Sequence, residues 1–244
     1  MLRLILVALF LVIYFIFSIP FWGVTWIIGR FNKDAKDRIN YSCVQWAFGI
    51  VYRLSGVKPV IQGLENIPKD TAVLYIGNHQ SIFDVVMTYH LAPGITGFMA
   101  KDNIRKIPFL SRWMKLTYCL FLTRTDPRID LKEIVKAIDY VKAGKSIFIF
   151  PEGTRTKTGE MNAFHEGSFK IATKSNCPIV PVAITGTRDI FENHMPFLKS
   201  SKVVISYGKP IILSELDAEQ KKHLGVYCQG IIEEALKENE ALMK

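Results

Sequence analysis

The sequence is poor in the residues that support redox, metal and disulfide chemistry. It has four cysteines in 244 residues, Cys43, Cys119, Cys177 and Cys228, and no Cys-x-x-Cys pair. Dense disulfide frameworks belong to small secreted domains, so four reduced thiols are expected here, with no metal site and no cofactor. No Gly-x-Ser-x-Gly elbow occurs, which removes the usual setting for a serine nucleophile in an α/β protein. Internal repeats, low-complexity tracts and long linkers are also lacking.

Charge is missing from one stretch only, and that stretch is long. From Leu4 to Ile28 there is no charged residue, and 17 of those 25 positions are Leu, Ile, Val or Phe. As a continuous helix such a run measures roughly 37 Å. Its apolar residues sum to about −5 to −10 kcal/mol for bilayer insertion. A cleaved signal peptide is the competing reading, but the run is long for one and no small-x-small site follows it. Pro20 divides the run and leaves two geometries open: one kinked spanning helix, or two shorter helices dipping into one leaflet. Arg30, Lys33, Lys36 and Arg38 follow the run, against Arg3 and the terminal amine before it. If the segment spans, that asymmetry puts the rest of the chain on the cytoplasmic side of the membrane.

The chain as a whole is basic, with net charge +9. That suits an anionic membrane surface, nucleic acid, or phosphorylated and acidic partners. No nucleic-acid-binding motif accompanies the charge, so nucleic acid is not an expected partner. Seven Lys or Arg and only two Asp lie between Lys101 and Arg128. Phe109, Leu110, Trp113 and Met114 share a helical face there. That face fits anionic headgroups and fits packing on the sheet, with its charges solvated, about equally well.

Helical spacing marks residues 37–54 as a helix. The chain is expected to divide into a helical membrane-anchoring region, 1–56, and a catalytic domain, 57–244. Beyond Val57, short apolar runs alternate with helical stretches. Strands are predicted at Pro59–Gln62, Ala72–Ile76, Gly97–Ala100, Cys119–Leu122, Ser146–Phe150, Ile179–Ile184 and Lys202–Ser206. Helices are predicted at Phe83–His90, Phe109–Lys115, Leu131–Lys142, Gly167–Lys174 and Asp217–Leu236. Ser214 and Asp217 have the spacing of a capping box. The alternation predicts an α/β fold with a mainly parallel central sheet flanked by helices. Ligands in such folds gather beyond the carboxyl ends of strands.

Chemistry-bearing residues fall at those ends. The strand Ala72–Ile76 runs into Gly77-Asn78-His79-Gln80-Ser81-Ile82-Phe83-Asp84. A hydroxyl is a poor nucleophile at neutral pH and needs a base. Imidazole supplies one when a carboxylate holds its other nitrogen. The His79-x4-Asp84 spacing permits this if Asp84 lies in the first turn of the next helix. The same spacing also suits a turn-capping histidine and a helix-stabilising aspartate. Phe150-Pro151-Glu152-Gly153-Thr154-Arg155 follows a second strand, and its Gly and donors suit a phosphomonoester. Leu120–Arg124 is a strand ending in arginine, and Val180–Ile184 is an apolar strand.

Taken in order, these four segments resemble the four blocks of the glycerolipid acyltransferase family, and most closely its lysophosphatidic acid acyltransferases. The resemblance covers roughly residues 57–210. Phe164, Gly167, Phe169 and Ala172 also look like that family's Phe-x-x-Gly-x-Phe-x-x-Ala helix start. It implies that His79 deprotonates an acceptor hydroxyl and Asp84 orients His79. Asn78, Arg124, Glu152, Gly153, Thr154 and Arg155 would form the substrate site, with both arginines on phosphate. The implied partners are lysophosphatidic acid, an acyl-CoA or acyl-carrier-protein donor, and membrane lipid; the implied product is phosphatidic acid. Another lysophospholipid or glycerol 3-phosphate as acceptor, and a lipid esterase, are the alternatives. Two positions depart from the family pattern: Tyr118 stands where a Gly is common, and Glu166 where a basic residue is common.

Overall fold

Each of the seven apolar runs forms a strand in the computed structural model, which describes residues 1–243. The strands are β1 (Lys58–Gln62), β2 (Leu74–Gly77), β3 (Thr96–Lys101), β4 (Leu120–Leu122), β5 (Ser146–Ile149), β6 (Ile179–Thr185) and β7 (Lys202–Tyr207). They make one sheet in the order β1-β7-β6-β2-β5-β3-β4. All neighbours run parallel except β6 and β7. The expected α/β architecture with a mainly parallel sheet is therefore present.

The central strands β2 and β5 are buried at every position. Period-two alternation sends their side chains to opposite faces. Tyr75, Phe98, Phe148 and Val182 face α3 (Ile82–Leu91) through Val86, Met87 and Tyr89. Leu74, Ile76, Ile147 and Ile149 face α5 (Pro127–Lys142), α6 (Lys170–Ser175) and α8 (Leu224–Met243) through Ala137, Ile171 and Ile232. Each large side chain fully buried this way contributes about 1.5–3 kcal/mol relative to exposure. The resulting rigid sandwich fixes where the carboxyl ends of β2, β5 and β6 stand.

The apolar N-terminal run is one helix, α1 (Leu2–Phe31), and Pro20 does not break it. Asn32 then turns the chain into α2 (Lys33–Ser55), its Oδ1 accepting Ala35 N–H at 2.9 Å. Gly56, at φ 74°, closes α2 in the left-handed region that glycine tolerates. One side of α1 packs on α4 (Pro108–Leu116), where Trp113 Nε1 donates to Ser18 Oγ at 2.8 Å and Tyr14 stacks on Trp113. The apolar face of α4, expected on the sheet or on headgroups, packs against α1 through Trp113 and Phe109. The other side of α1 leaves Leu9, Val12, Ile16, Phe17, Trp26 and Ile27 exposed. By length and composition this helix is able to cross a membrane.

Three predicted elements differ in detail. The helix expected at Gly167–Lys174 opens as a 3₁₀ turn, Glu166–Phe169, before α6. The helix expected at Asp217–Leu236 is two helices, α7 (Ala218–Lys222) and α8, which runs on to Met243. The capping residue of α7 is Asp217, paired with Gln220, whereas Ser214 lies in the preceding 3₁₀ turn. Glu166 explains the break: its Oε1 accepts Gly225 N–H at 3.0 Å and anchors the first turn of α8. An acidic side chain suits that helix N-terminus, where a basic one would oppose the dipole.

Candidate active site

The site grows from the carboxyl end of β2. After Gly77 the chain leaves the sheet while β6 continues. Asn78 fills the gap with its own amide: Nδ2 donates to Ile184 O at 2.9 Å and Oδ1 accepts Ile184 N–H at 2.8 Å. The side chain thereby extends the ladder by one pseudo-peptide. Asn78, expected in the substrate site from the resemblance, thus has both amide atoms bonded to Ile184.

His79 comes next, and α3 begins three residues later. Ser81 caps α3, and Asp84 completes a capping box at the third helical position. Asp84 is fully buried. A buried carboxylate is costly unless paired, and here four donors meet it. Oδ2 accepts Gln80 N–H at 2.6 Å, Ser81 N–H at 2.7 Å and His79 Nδ1 at 2.8 Å. Oδ1 accepts Thr187 Oγ1 at 2.5 Å. The helix-capping reading and the histidine-orienting reading are therefore both true of one carboxylate. A carboxylate with no proton of its own can only accept, so Nδ1 carries the hydrogen and Nε2 is left as the basic nitrogen. The imidazole lies flat on Phe150, with centroids 4.1 Å apart and planes at 14°.

The turn after β5 is tied to the histidine from the opposite side. Glu152 Oε1 accepts His79 N–H at 2.6 Å, and Thr156 N–H donates to His79 O at 2.9 Å. Glu152 Oε2 accepts from Asn162 N–H and Nδ2 at 2.8 and 2.9 Å. Burial pushes the Glu152 carboxyl above its usual range, against these hydrogen bonds, which pull it down. Expected to touch substrate, Glu152 instead has both oxygens on the protein, where it fixes the His79 backbone.

Gly153 has φ 71°, and a Cβ built on it would lie 3.4 Å from the His165 ring and 4.0 Å from Arg124 Cζ. This places Arg124, from the far edge of the sheet, beside the β5 turn. Arg124 is itself at φ 61°, its N–H donating to Asp130 Oδ2 at 2.8 Å. Partial burial of its guanidinium, on a residue that is exposed overall, pulls it down from the ordinary range, and Asp130 opposes that. Thr154 and Arg155 are exposed at the same turn. Tyr118, where the family pattern often has glycine, takes φ 64°, so the conformation favouring glycine is present although the glycine is not. The structure thus brings His79, Asp84, Glu152, Gly153 and Arg124 together. It adds Phe150, Thr156, His165, Thr187 and Glu192, to which the motif reading gave no role. Glu192, for example, accepts from Ser81 Oγ at 2.5 Å and Arg155 Nη1 at 2.7 Å.

Fold and site together define an α/β protein with a histidine–carboxylate pair at the carboxyl edge of a parallel sheet, flanked by a cationic turn. Comparison with known proteins narrows that class. A family model described as Acyltransferase matches residues 58–185, slightly more than half of the chain, and the chain belongs to that family. A chloroplastic 1-acyl-sn-glycerol-3-phosphate acyltransferase of Brassica napus is 34% identical over 189 residues, which is 77% of this chain and 54% of that protein. The 1-acyl-sn-glycerol-3-phosphate acyltransferase of Borreliella burgdorferi is 30% identical over 187 residues, 77% of this chain and 75% of that protein. The chain spans little more than half the length of the plant relatives it matches. The crystal structure of the LPA acyltransferase PlsC from Thermotoga maritima has a TM-score of 0.75 at 22% identity, covering 97% of this chain and 96% of that one. The two share a fold.

Proposed function

We propose that this chain transfers a fatty acyl group from an acyl thioester to the sn-2 hydroxyl of 1-acyl-sn-glycerol 3-phosphate, forming phosphatidic acid. The observation that carries the reading is the His79 Nδ1–Asp84 bond of 2.8 Å, set against the Gly153 turn and its arginines. In this mechanism His79 Nε2 takes the proton of the acceptor hydroxyl as the oxygen attacks the thioester carbonyl carbon. Asp84 stabilises the imidazolium that forms. The tetrahedral intermediate then collapses, the C–S bond breaks, and the imidazolium returns its proton to the departing thiolate. No acyl-enzyme intermediate is needed.

Arg124 and Arg155 hold the acceptor's phosphate, with the exposed backbone of Gly153 and Thr154 between them. Asn78 and Glu152 act at one remove, by fixing the backbone on either side of His79. Acyl-CoA and acyl-carrier protein both present the required thioester as donor. Residues 57–244 form the catalytic domain, and residues 1–56 hold it on the membrane from which a lipid acceptor is drawn. The exposed apolar side of α1 and the cations that follow it support membrane attachment with the catalytic domain on the cytoplasmic face.

The test offers purified protein a panel of lyso-acceptors and glycerol 3-phosphate with one acyl thioester, and identifies products by mass spectrometry. Phosphatidic acid from lysophosphatidic acid is the expected dominant product. Free fatty acid alone would make the protein a hydrolase, and acylation of another acceptor would reassign the phosphate turn.

A further inference from the structure

We propose that Glu192 is a positioning residue that holds Arg155 in register with the His79 turn. The inference rests on the reading of Arg155 as a ligand of the acceptor's phosphate. Glu192 lies in the 3₁₀ turn Glu192–His194, in the segment that follows β6. Its carboxylate accepts three hydrogen bonds. Oε2 takes Ser81 Oγ at 2.5 Å, and Oε1 takes Ile82 N–H at 2.9 Å and Arg155 Nη1 at 2.7 Å. Two of the three donors belong to the cap and first residue of α3, the helix that carries Asp84. Glu192 is thus bonded at once to the turn that orients the base and to the arginine assigned to phosphate.

A carboxylate beside a phosphate-binding arginine has two possible roles. It can compete with the phosphate as a counter-ion and swing away, or it can hold the guanidinium while other donors face the ligand. The hydrogen bonds favour the second. To leave, Glu192 must give up its hydrogen bonds from the Ile82 N–H and the Ser81 hydroxyl, and the α3 N-terminus favours a negative charge where it stands. Arg155 gives Glu192 a single nitrogen contact. A guanidinium has five N–H donors in a planar fork, so most of the fork remains to meet a phosphate. Arg155 is otherwise a half-exposed side chain on a loop, with exposure of 50% against 16% for Glu192. Without the tether its guanidinium samples many rotamers, and each binding event must order it.

The prediction is a split between kinetic constants. Glu192→Ala should raise the KM for lysophosphatidic acid by roughly tenfold, on the scale of one charge-assisted hydrogen bond. The thioester KM should stay within about twofold, and Glu192→Gln should fall between wild type and Ala. In an Arg155→Ala background, Glu192→Ala should raise the acceptor KM no further, because the arginine it positions is gone. An unchanged or lowered acceptor KM in Glu192→Ala, or additive effects in the double variant, would overturn the proposal. Hydrogen exchange on the full chain supplies a readout that needs no substrate. Glu192→Ala should speed exchange in both the 79–84 and 152–158 segments, and a change confined to one of them counts against the tether. If the wild-type chain acylates no lysophosphatidic acid, the functional reading fails, while the exchange result still decides whether Glu192 couples the two turns.

Discussion

The two sides of the site are built differently. On the base side, Asp84 is fully buried and its carboxylate is met by four donors. The His79 ring is held by that carboxylate and by Phe150, and its backbone by Glu152 and Thr156. On the phosphate side, Arg124 and Arg155 are exposed and rise from loops, and Arg155 has one side-chain partner among the described residues. General-base catalysis needs an imidazole with one tautomer and one direction, and burial with full hydrogen bonding provides both. A site that admits a charged headgroup must stay open to water. The contrast predicts that substitutions on the base side act mainly on kcat, and substitutions on the phosphate side mainly on acceptor KM.

The largest expected effect is on the base side. His79→Ala should lower kcat by about 10²–10⁴-fold, the usual value of general-base catalysis, with acceptor KM little changed. Asp84→Asn should approach it, because a neutral amide cannot stabilise the imidazolium, although its oxygen can still accept from His79, Gln80 and Ser81 with its N–H₂ turned to Thr187 Oγ1. Circular dichroism and thermal unfolding must show both variants folded, since Asp84 also caps α3. Near-normal turnover in folded His79→Ala would remove this residue from the chemistry.

A smaller effect is expected on the phosphate side. Arg155→Ala should weaken acceptor binding by about 1.5–3 kcal/mol, the range for a lost hydrogen bond to a charged group. That corresponds to an acceptor KM raised by roughly one to two orders of magnitude, with kcat less affected. A fall in kcat with KM unchanged would break the division between the two sides, because it would give Arg155 an interaction made only in the transition state.

The same division explains what was legible in the sequence. His79 and Asp84 lie within one strand-to-helix turn, so their pairing follows from local geometry. The seven apolar runs marked the strands, and alternation with helices implied parallel pairing. The order β1-β7-β6-β2-β5-β3-β4 and the antiparallel β6–β7 pair depend on contacts between distant segments, which no local pattern encodes. Thr187 reaches Asp84 across 103 positions and Glu192 reaches Ser81 across 111. Neither residue lies in a local pattern with its partner. Asn78 and Glu152 were found by motif, and the fold shows their polar atoms engaged by Ile184, His79 and Asn162. A motif marks a position, and only the fold shows whether its polar atoms face ligand or backbone.

The smallest expected effect concerns Glu152, which joins the two sides. Burial raises its pKa above the ordinary 4.5, so the folded state keeps this proton at a pH where the unfolded chain has lost it. Between those two values the folded state binds more protons, and stability falls as pH rises through the window. Below 4.5 both states are protonated and the contribution is at its fullest. Glu152→Gln has no such titration. It keeps one oxygen for His79 N–H and sets an amide N–H₂ against the two Asn162 donors, the same conflict a protonated Glu152 meets. The stability of wild type relative to Glu152→Gln should therefore be highest at and below pH 4.5 and fall as pH rises, as read from denaturant unfolding in detergent at a series of pH values. A relative stability of wild type that rises with pH would mean that the hydrogen bonds from His79 and Asn162 outweigh burial. In that case Glu152 would belong with Asp84, as a carboxylate whose charged form the fold is built to hold.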